Sequence, residues 1–385
     1  MPAERLVMGW DIGGAHVKAC LLRNGEVADV AQWACPLWQG MEHLERVLRL
    51  ARERWPQKLT AAAHAITMTG EMTDLFENRE DGVHRIAALL AAELTPASAA
   101  DALHFYTGDA AWCRAVDVGT HWAQIASANW LATAQHAAQH AARSARGGRG
   151  EPGSEGVLID IGSTTTDLIA FRAGRVLGTS RSDVQRLASG ELVYQGVVRT
   201  PLCALAPRIE WQGRELNVMN EFFATTADVY RLIGELDAAH DLHPSADNAA
   251  KDPLATRRRL ARMIGLDARD ANDADWLAFA HAWRRHQVAE IGGQLRRVMD
   301  AHGLFGTTTV AISAGCGDFL AADVLAHAVA DTGSTIACRR YGHEVAPLEP
   351  RASTATSSCR DALAAWAQVC APSVAVATLF DRDQR

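Results

Sequence analysis

The sequence predicts a two-lobed α/β protein whose second lobe carries a mainly helical insertion. Three observations lead there. A strand–turn–strand unit, GWDIGGAHVKACLL over residues 9–22, returns as LIDIGSTTTDLIAF over residues 158–171. Strand-length apolar runs alternate with helix-period segments in both halves of the chain. Residues 144–156, SARGGRGEPGSEG, are rich in Gly, Ser and charge and hold no periodic apolar positions, which marks a loop or lobe boundary. The lobes expected are therefore residues 1–143 and 157–385, with two related sheets facing a common cleft.

Each element has its own signal. Residues 7–12 and 17–22 read as paired strands around Gly13-Gly14-Ala15-His16, and 27–33 as a third strand. Residues 41–55 have helical periodicity through Leu44, Val47, Leu48 and Ala51 and stop near Pro56. A buried strand at 61–68 leads into Thr69-Gly70-Glu71-Met72-Thr73-Asp74. A helix at 81–94, a short strand at 103–106 and a long Ala-rich helix at 122–142 complete the first lobe. In the second, strands at 157–161 and 168–171 flank the turn at 162–166. Residues 210–302 read as mainly helical, with Arg257-Arg258-Arg259 on a solvated face. The α/β pattern resumes with a strand at 308–312, the turn Ser313-Ala314-Gly315-Cys316-Gly317 and a helix at 319–330. A helix at 360–369 and an apolar strand at 373–379 close the chain.

Composition narrows the partners. With 385 residues, 48% hydrophobic and 22% charged, the chain has the make-up of a soluble protein with a substantial core. A formal charge of −7 argues against nucleic acid or an anionic membrane as the main partner. It does not argue against a small phosphorylated substrate, which local N–H groups and a bound cation can hold. The N-terminus lacks a basic stretch with an apolar core, and residues 86–94 are too short to span a bilayer. The eight cysteines form no C-x-x-C pair and are expected to be reduced thiols. A cytoplasmic protein, as a homodimer, is the expectation.

The chemistry concentrates at the repeated turns. An Asp at the end of a buried strand, followed by small residues, sets a carboxylate beside open backbone amides. Those amides suit phosphate oxygens, and the carboxylate suits Mg²⁺ bridging to them. The metal candidates are Asp11, Asp160 and Asp167, and the phosphate candidates are Gly13, Gly14, His16, Lys18, Gly162, Ser163, Thr164, Thr165 and Thr166. A single such turn is equally well an Asp capping its own backbone; two copies and a third glycine turn, Gly315 and Gly317, favour a ligand. Glu71 is the candidate general base, with Asp74 as its alternate, against the reading of both as acids favoured by a helix N-terminus. Glu191, after Ser189-Gly190, is a third candidate carboxylate, and Thr225 or Thr226 a candidate substrate contact. His240, His243 and Asp247 do not share a helical face and are not expected to hold a metal.

Asp11-Ile-Gly-Gly and Asp160-Ile-Gly-Ser-Thr-Thr-Thr-Asp167 resemble the two phosphate hairpins of the sugar kinase, heat-shock-protein-70 and actin ATPases. Gly315-Cys316-Gly317 looks like the adenosine-side Gly-x-Gly of those proteins. The resemblance implies an actin-like ATPase fold with ribonuclease H-like lobes. Within that superfamily the chain is similar to the hydantoinase A/oxoprolinase-like branch. It resembles more narrowly proteins of tetrahydromethanopterin-linked one-carbon metabolism related to archaeal methanofuran synthesis. The segments behind the narrower match are Asp11–Lys18, Thr69–Asp74, Ser189–Tyr194 with Arg199-Thr200-Pro201, and Glu221–Tyr230. What this implies is an Mg²⁺-dependent transfer that condenses a furfuryl diphosphate with the phenol of a glutamyl-tyramine and releases diphosphate. The hairpins would suit ATP equally, as in a small-molecule kinase or a hydantoinase-like amidohydrolase. A non-catalytic nucleotide-binding protein is the third expectation.

Overall fold

A computed structural model describes residues 4–94, 102–146, 154–349 and 357–385. The chain forms two compact units, one of residues 1–150, 171–176 and 340–385, the other of residues 151–170 and 177–339. Each has its own apolar core.

The first unit opens with β1 (Leu6–Ile12), β2 (His16–Arg23) and β3 (Glu26–Ala34), an antiparallel meander with Asp11 opposite Lys18. Every residue of β1 is buried, the mark of a strand covered on both faces. Helix α1 (Glu42–Arg54) and the short α2 (Lys58–Ala61) lead to β4 (Ala63–Met68), which runs parallel to β1 with Thr67 opposite Asp11. Then come α3 (Arg79–Leu94), β5 (Leu103–Tyr106) and β6 (Trp112–Arg114), giving the order β3-β2-β1-β4-β5-β6. The Ala-rich stretch expected as one helix is two, α4 (Val118–Ile125) and α5 (Asn129–Arg146), broken at Ala126–Ala128. Part of the loop expected at 144–156 lies outside the described residues, and α5 occupies its first three positions.

The second unit repeats the plan. Strands β7 (Glu155–Ile161) and β8 (Thr166–Arg172) form the hairpin, followed by β9 (Arg175–Val176), α6 (Asp183–Ser189) and β10 (Leu192–Val193). After α7 (Leu202–Leu205), the hairpin β11 (Arg208–Trp211) and β12 (Arg214–Asn217) opens the insertion, which continues as α8 (Thr226–Ile233), α9 (Pro253–Arg262) and α10 (Asp273–His302). Strand β13 (Thr309–Ala314) then runs parallel to β7 with Ala314 opposite Asp160, and α11 (Ala321–Val329) precedes β14 (Ala337–Arg340). The order is β10-β8-β7-β13-β14, with β9 on β8. In both sheets an antiparallel hairpin lies beside a parallel strand drawn from further along the chain, which is the ribonuclease H-like plan.

Helices α12 (Ser357–Val369) and α13 (Ala371–Asp383) end the chain. The strand expected at 373–379 is thus a helix, and residues 340–385 group with the first unit rather than the second. Residues 371–381 are buried on every side, so no polar face marks a 3.6-residue period, and a small, β-branched run imitates a strand. Arg259 also departs from expectation. It is fully buried, with Nε 2.8 Å from Asp228 Oδ1 and Nη1 3.0 Å from Asp247 Oδ1. Only Arg258 of that run is exposed.

Candidate functional site

In the first unit the turn between β1 and β2 closes on itself, Gly13 N–H donating to His16 O at 3.0 Å. Asp11 ends β1 almost fully buried, and Lys18, its cross-strand neighbour, brings Nζ to 3.7 Å from Oδ2. The lysine expected at a phosphate is therefore the cation beside Asp11. His16 is buried at the start of β2. The segment after β4 folds over this turn, with Thr69 N–H donating to Ile12 O at 3.0 Å. That puts Glu71, in a single 3₁₀ turn at Gly70–Met72, one loop away from the hairpin. Glu71 is 1% exposed, and Ser127 Oγ donates to its Oε1 at 2.8 Å. Asp74 is exposed.

The second unit builds the same turn. Gly162 N–H donates to Thr165 O at 2.8 Å, and Gly317 N–H donates to Ile161 O at 2.8 Å. Asp160 ends β7 at 8% exposure. Gly315 has φ +87, and a Cβ there would lie 2.1 Å from Ile161 O and 2.6 Å from Asp160 Oδ1. The buried glycines Gly315 and Gly317 thus let this loop press on the end of β7 beside the carboxylate, which accounts for both by packing. Residues Gly162, Ser163, Thr164 and Thr165 are half-buried at the turn. Thr166 is not available to a phosphate, because its buried hydroxyl donates to Gln195 O at 2.8 Å.

Asp167 departs furthest from its expected role. Its Oδ1 is held by Nη2 of Arg186, a buried arginine on α6 that also faces Asp183 at 3.6 Å. A carboxylate neutralised by a buried guanidinium does not fit a metal ligand. Glu191 is buried and takes a 2.8 Å hydrogen bond from Ser189 Oγ, a local structural bond. Thr225 caps α8, and Thr226 is fully buried, so neither offers a substrate contact. Among the described residues no three His, Cys, Asp or Glu side chains group as a metal site, His240, His243 and Asp247 included. Asp11 and Asp160 are each a buried carboxylate near the end of a strand, beside a glycine turn.

Sequence reasoning missed the support behind both turns. The carbonyl of Gly196 accepts from Thr226 Oγ1 at 2.9 Å, Gln287 Nε2 at 3.1 Å and Thr200 Oγ1 at 3.1 Å. Val198 and Arg199 N–H groups donate to Ser163 O at 3.1 and 2.9 Å. The segments Arg199–Pro201 and Glu221–Tyr230, distant in sequence, therefore meet at the back of the second hairpin. Burial holds the Arg199 guanidinium below its ordinary value, with the Tyr194 phenol acting in the opposite direction. Ser127 had no sequence signal at all, since it falls inside what reads as one continuous helix.

Two ribonuclease H-like sheets, each ending in an Asp-Ile-Gly hairpin, define a protein of the actin-like ATPase and sugar kinase fold class. The nucleotide-free structure of an acetone carboxylase shares the fold at TM-score 0.50 and 11% identity over 83% of this chain and 66% of that one. The family model described as hydantoinase/oxoprolinase matches residues 63–337, and the chain belongs to that family. A (4-{4-[2-(gamma-L-glutamylamino)ethyl]phenoxymethyl}furan-2-yl)methanamine synthase from Methanocaldococcus jannaschii is 28% identical over 72% of this chain and 76% of its own. The protein of that name from Methanococcus vannielii is 28% identical over 50% and 86%.

Proposed function

We propose that the protein is a transferase of methanofuran-type cofactor synthesis, forming an aryl ether between a furfuryl diphosphate and the phenol of a tyramine derivative. The observation that carries this is the likeness to the two archaeal synthases, named for a phenoxymethyl furan product. In the step proposed, the phenol O–H gives its proton to Glu71 as its oxygen attacks the furfuryl carbon. The C–O bond to diphosphate breaks, and the electron pair leaves with diphosphate. An unperturbed phenol has a pKa of about 10, so a base is needed at neutral pH. Bound Mg²⁺ would neutralise charge developing on the leaving group. Asp11 or Asp160 would be its carboxylate ligand, and the half-buried turn at Gly162–Thr165 would offer donors to phosphate oxygens.

Calorimetric titration with Mg²⁺ plus diphosphate, ADP and ATP in parallel tests the reading. Diphosphate is expected to bind at least as tightly as either nucleotide. A clear preference for nucleotide would sink the transferase and favour an ATP-dependent kinase or amidohydrolase. Asp160→Ala is expected to weaken Mg²⁺-diphosphate binding about 100-fold while leaving the fold intact, a loss within the range for removing a charged binding partner.

A further inference from the structure

We infer that Ser127 is a positioning residue for Glu71: its hydroxyl fixes the carboxylate and favours its ionised form. The inference rests on the reading of Glu71 as the base.

Three independent features meet at this pair. Ser127 Oγ donates to Glu71 Oε1 at 2.8 Å, with both residues buried. Ser127 adopts φ +53, a left-handed conformation that costs a non-glycine residue about 1 kcal/mol or more. That conformation sits at the break between α4 and α5, so the backbone departs from helix at the residue that reaches Glu71. Helix α3 also presses on the backbone of Glu71 through Gly82, where a Cβ would lie 2.8 Å from Glu71 Cα and O. A residue whose carboxylate is held by a left-handed serine and whose backbone is pressed by a glycine contact has little freedom of position. Mere structural support of a 3₁₀ turn needs neither a buried acid nor strain at the residue that binds it.

A neutral donor to a carboxylate favours the charged form, so loss of the hydroxyl raises the carboxyl pKa. The other ionisable groups on the elements around Glu71 include Asp11, His16 and Lys18 of the hairpin, Asp74 after the turn, Arg79, Glu80, Asp81, His84, Arg85 and Glu93 of α3, and His121 of α4. Asp81 and Arg85 pair at 3.5 Å, and Lys18 pairs with Asp11. None of them is changed in the variants that follow.

Ser127→Gly separates positioning from support, because glycine accepts the left-handed backbone without strain while removing the hydroxyl. The variant is expected to melt within a few degrees of wild type, relief of the strained backbone partly offsetting the lost hydrogen bond. The ¹³C-carboxyl titration of Glu71, assigned by its absence in Glu71→Gln, is expected to move up by about one pH unit, the scale of one hydrogen bond to a charged group. With the condensation substrates kcat is expected to fall about tenfold at unchanged KM. In the double variant the loss is expected to equal that of Glu71→Gln alone, about 100-fold or more. An unmoved carboxyl midpoint would overturn the inference, as would additive losses in the double variant. Wild type with no condensation activity but a shifted midpoint would support the Ser127–Glu71 coupling and sink only the transferase reading.

Discussion

The two hairpins are alike in backbone and unlike in what lies over them. Each turn closes with a glycine N–H donating three residues on, Gly13 to His16 and Gly162 to Thr165. In each, the loop after the neighbouring parallel strand donates to the residue that follows the aspartate, Thr69 to Ile12 and Gly317 to Ile161. The overlying loops then diverge. In the first unit it carries Glu71, held by Ser127; in the second it carries glycines pressed on the end of β7. Backbone hydrogen bonds repeat the frame, and one overlying loop changes its chemistry. The first unit thereby gains an acid and the second a close-packed, hydroxyl-rich turn.

That contrast predicts unequal responses to the same substitution. Gly315→Ala forces a Cβ into backbone at φ +87, and is expected to cost roughly 3 kcal/mol or more in chemical denaturation. Gly70→Ala, in the loop over the first turn, has no positive φ and meets the tip of Leu37 at 2.9 Å and Ile12 O at 3.1 Å, and is expected to cost about 1–2 kcal/mol. Equal losses would show that the two loops pack alike after all.

The ion pair behind the second hairpin sharpens the contrast further. Arg186→Met leaves Asp167 as a buried charge without its guanidinium and is expected to cost about 2–3 kcal/mol, discounted because Asp167 is partly exposed. Arg186→Met combined with Asp167→Leu is expected to recover most of that loss. Were Asp167 a metal ligand instead, Asp167→Asn would leave stability alone and weaken Mg²⁺-diphosphate binding.

How much of this was legible depends on whether a feature is local in sequence. The hairpins were, because Asp-Ile-Gly at a strand end states both the turn and the carboxylate within four residues. Glu71 was singled out from its place just after the strand ending at 68, but its nearness to the first turn came only with the fold. The roles of Asp167 and Arg259 were not legible, since each is set by a partner 19 and 31 residues away that only folding supplies. Ser127 was hidden by helical composition on both sides, and α13 by burial on all sides. Sequence pattern records which face meets water. Where no face does, as at residues 371–381, the pattern falls silent.

The smallest expected difference between the units is in acid. The first unit buries three imidazoles, His16, His64 and His136, and in two of them burial opposes the charged form. Burial pushes His64 down to about 4, a backbone hydrogen bond at Leu59 opposing it, and its Nδ1 accepts from Trp10 Nε1 at 3.1 Å. His136 is likewise driven well below its ordinary value, by burial first and then by Arg382, His140 and Arg143. A histidine whose folded pKa lies below its unfolded one binds fewer protons when folded. Stability is therefore full above about 6.5 and falls as pH drops toward about 4. For His64 alone the loss at pH 5.5 is about 1 kcal/mol. Among the described residues the second unit buries no histidine. Hydrogen exchange at pH 7 and 5.5 checks this by comparing β4, which carries His64, with β7, its neighbourhood free of buried imidazole. Protection in β4 is expected to drop several-fold more than in β7; equal drops would mean that both units lose stability together, and that acid does not distinguish them.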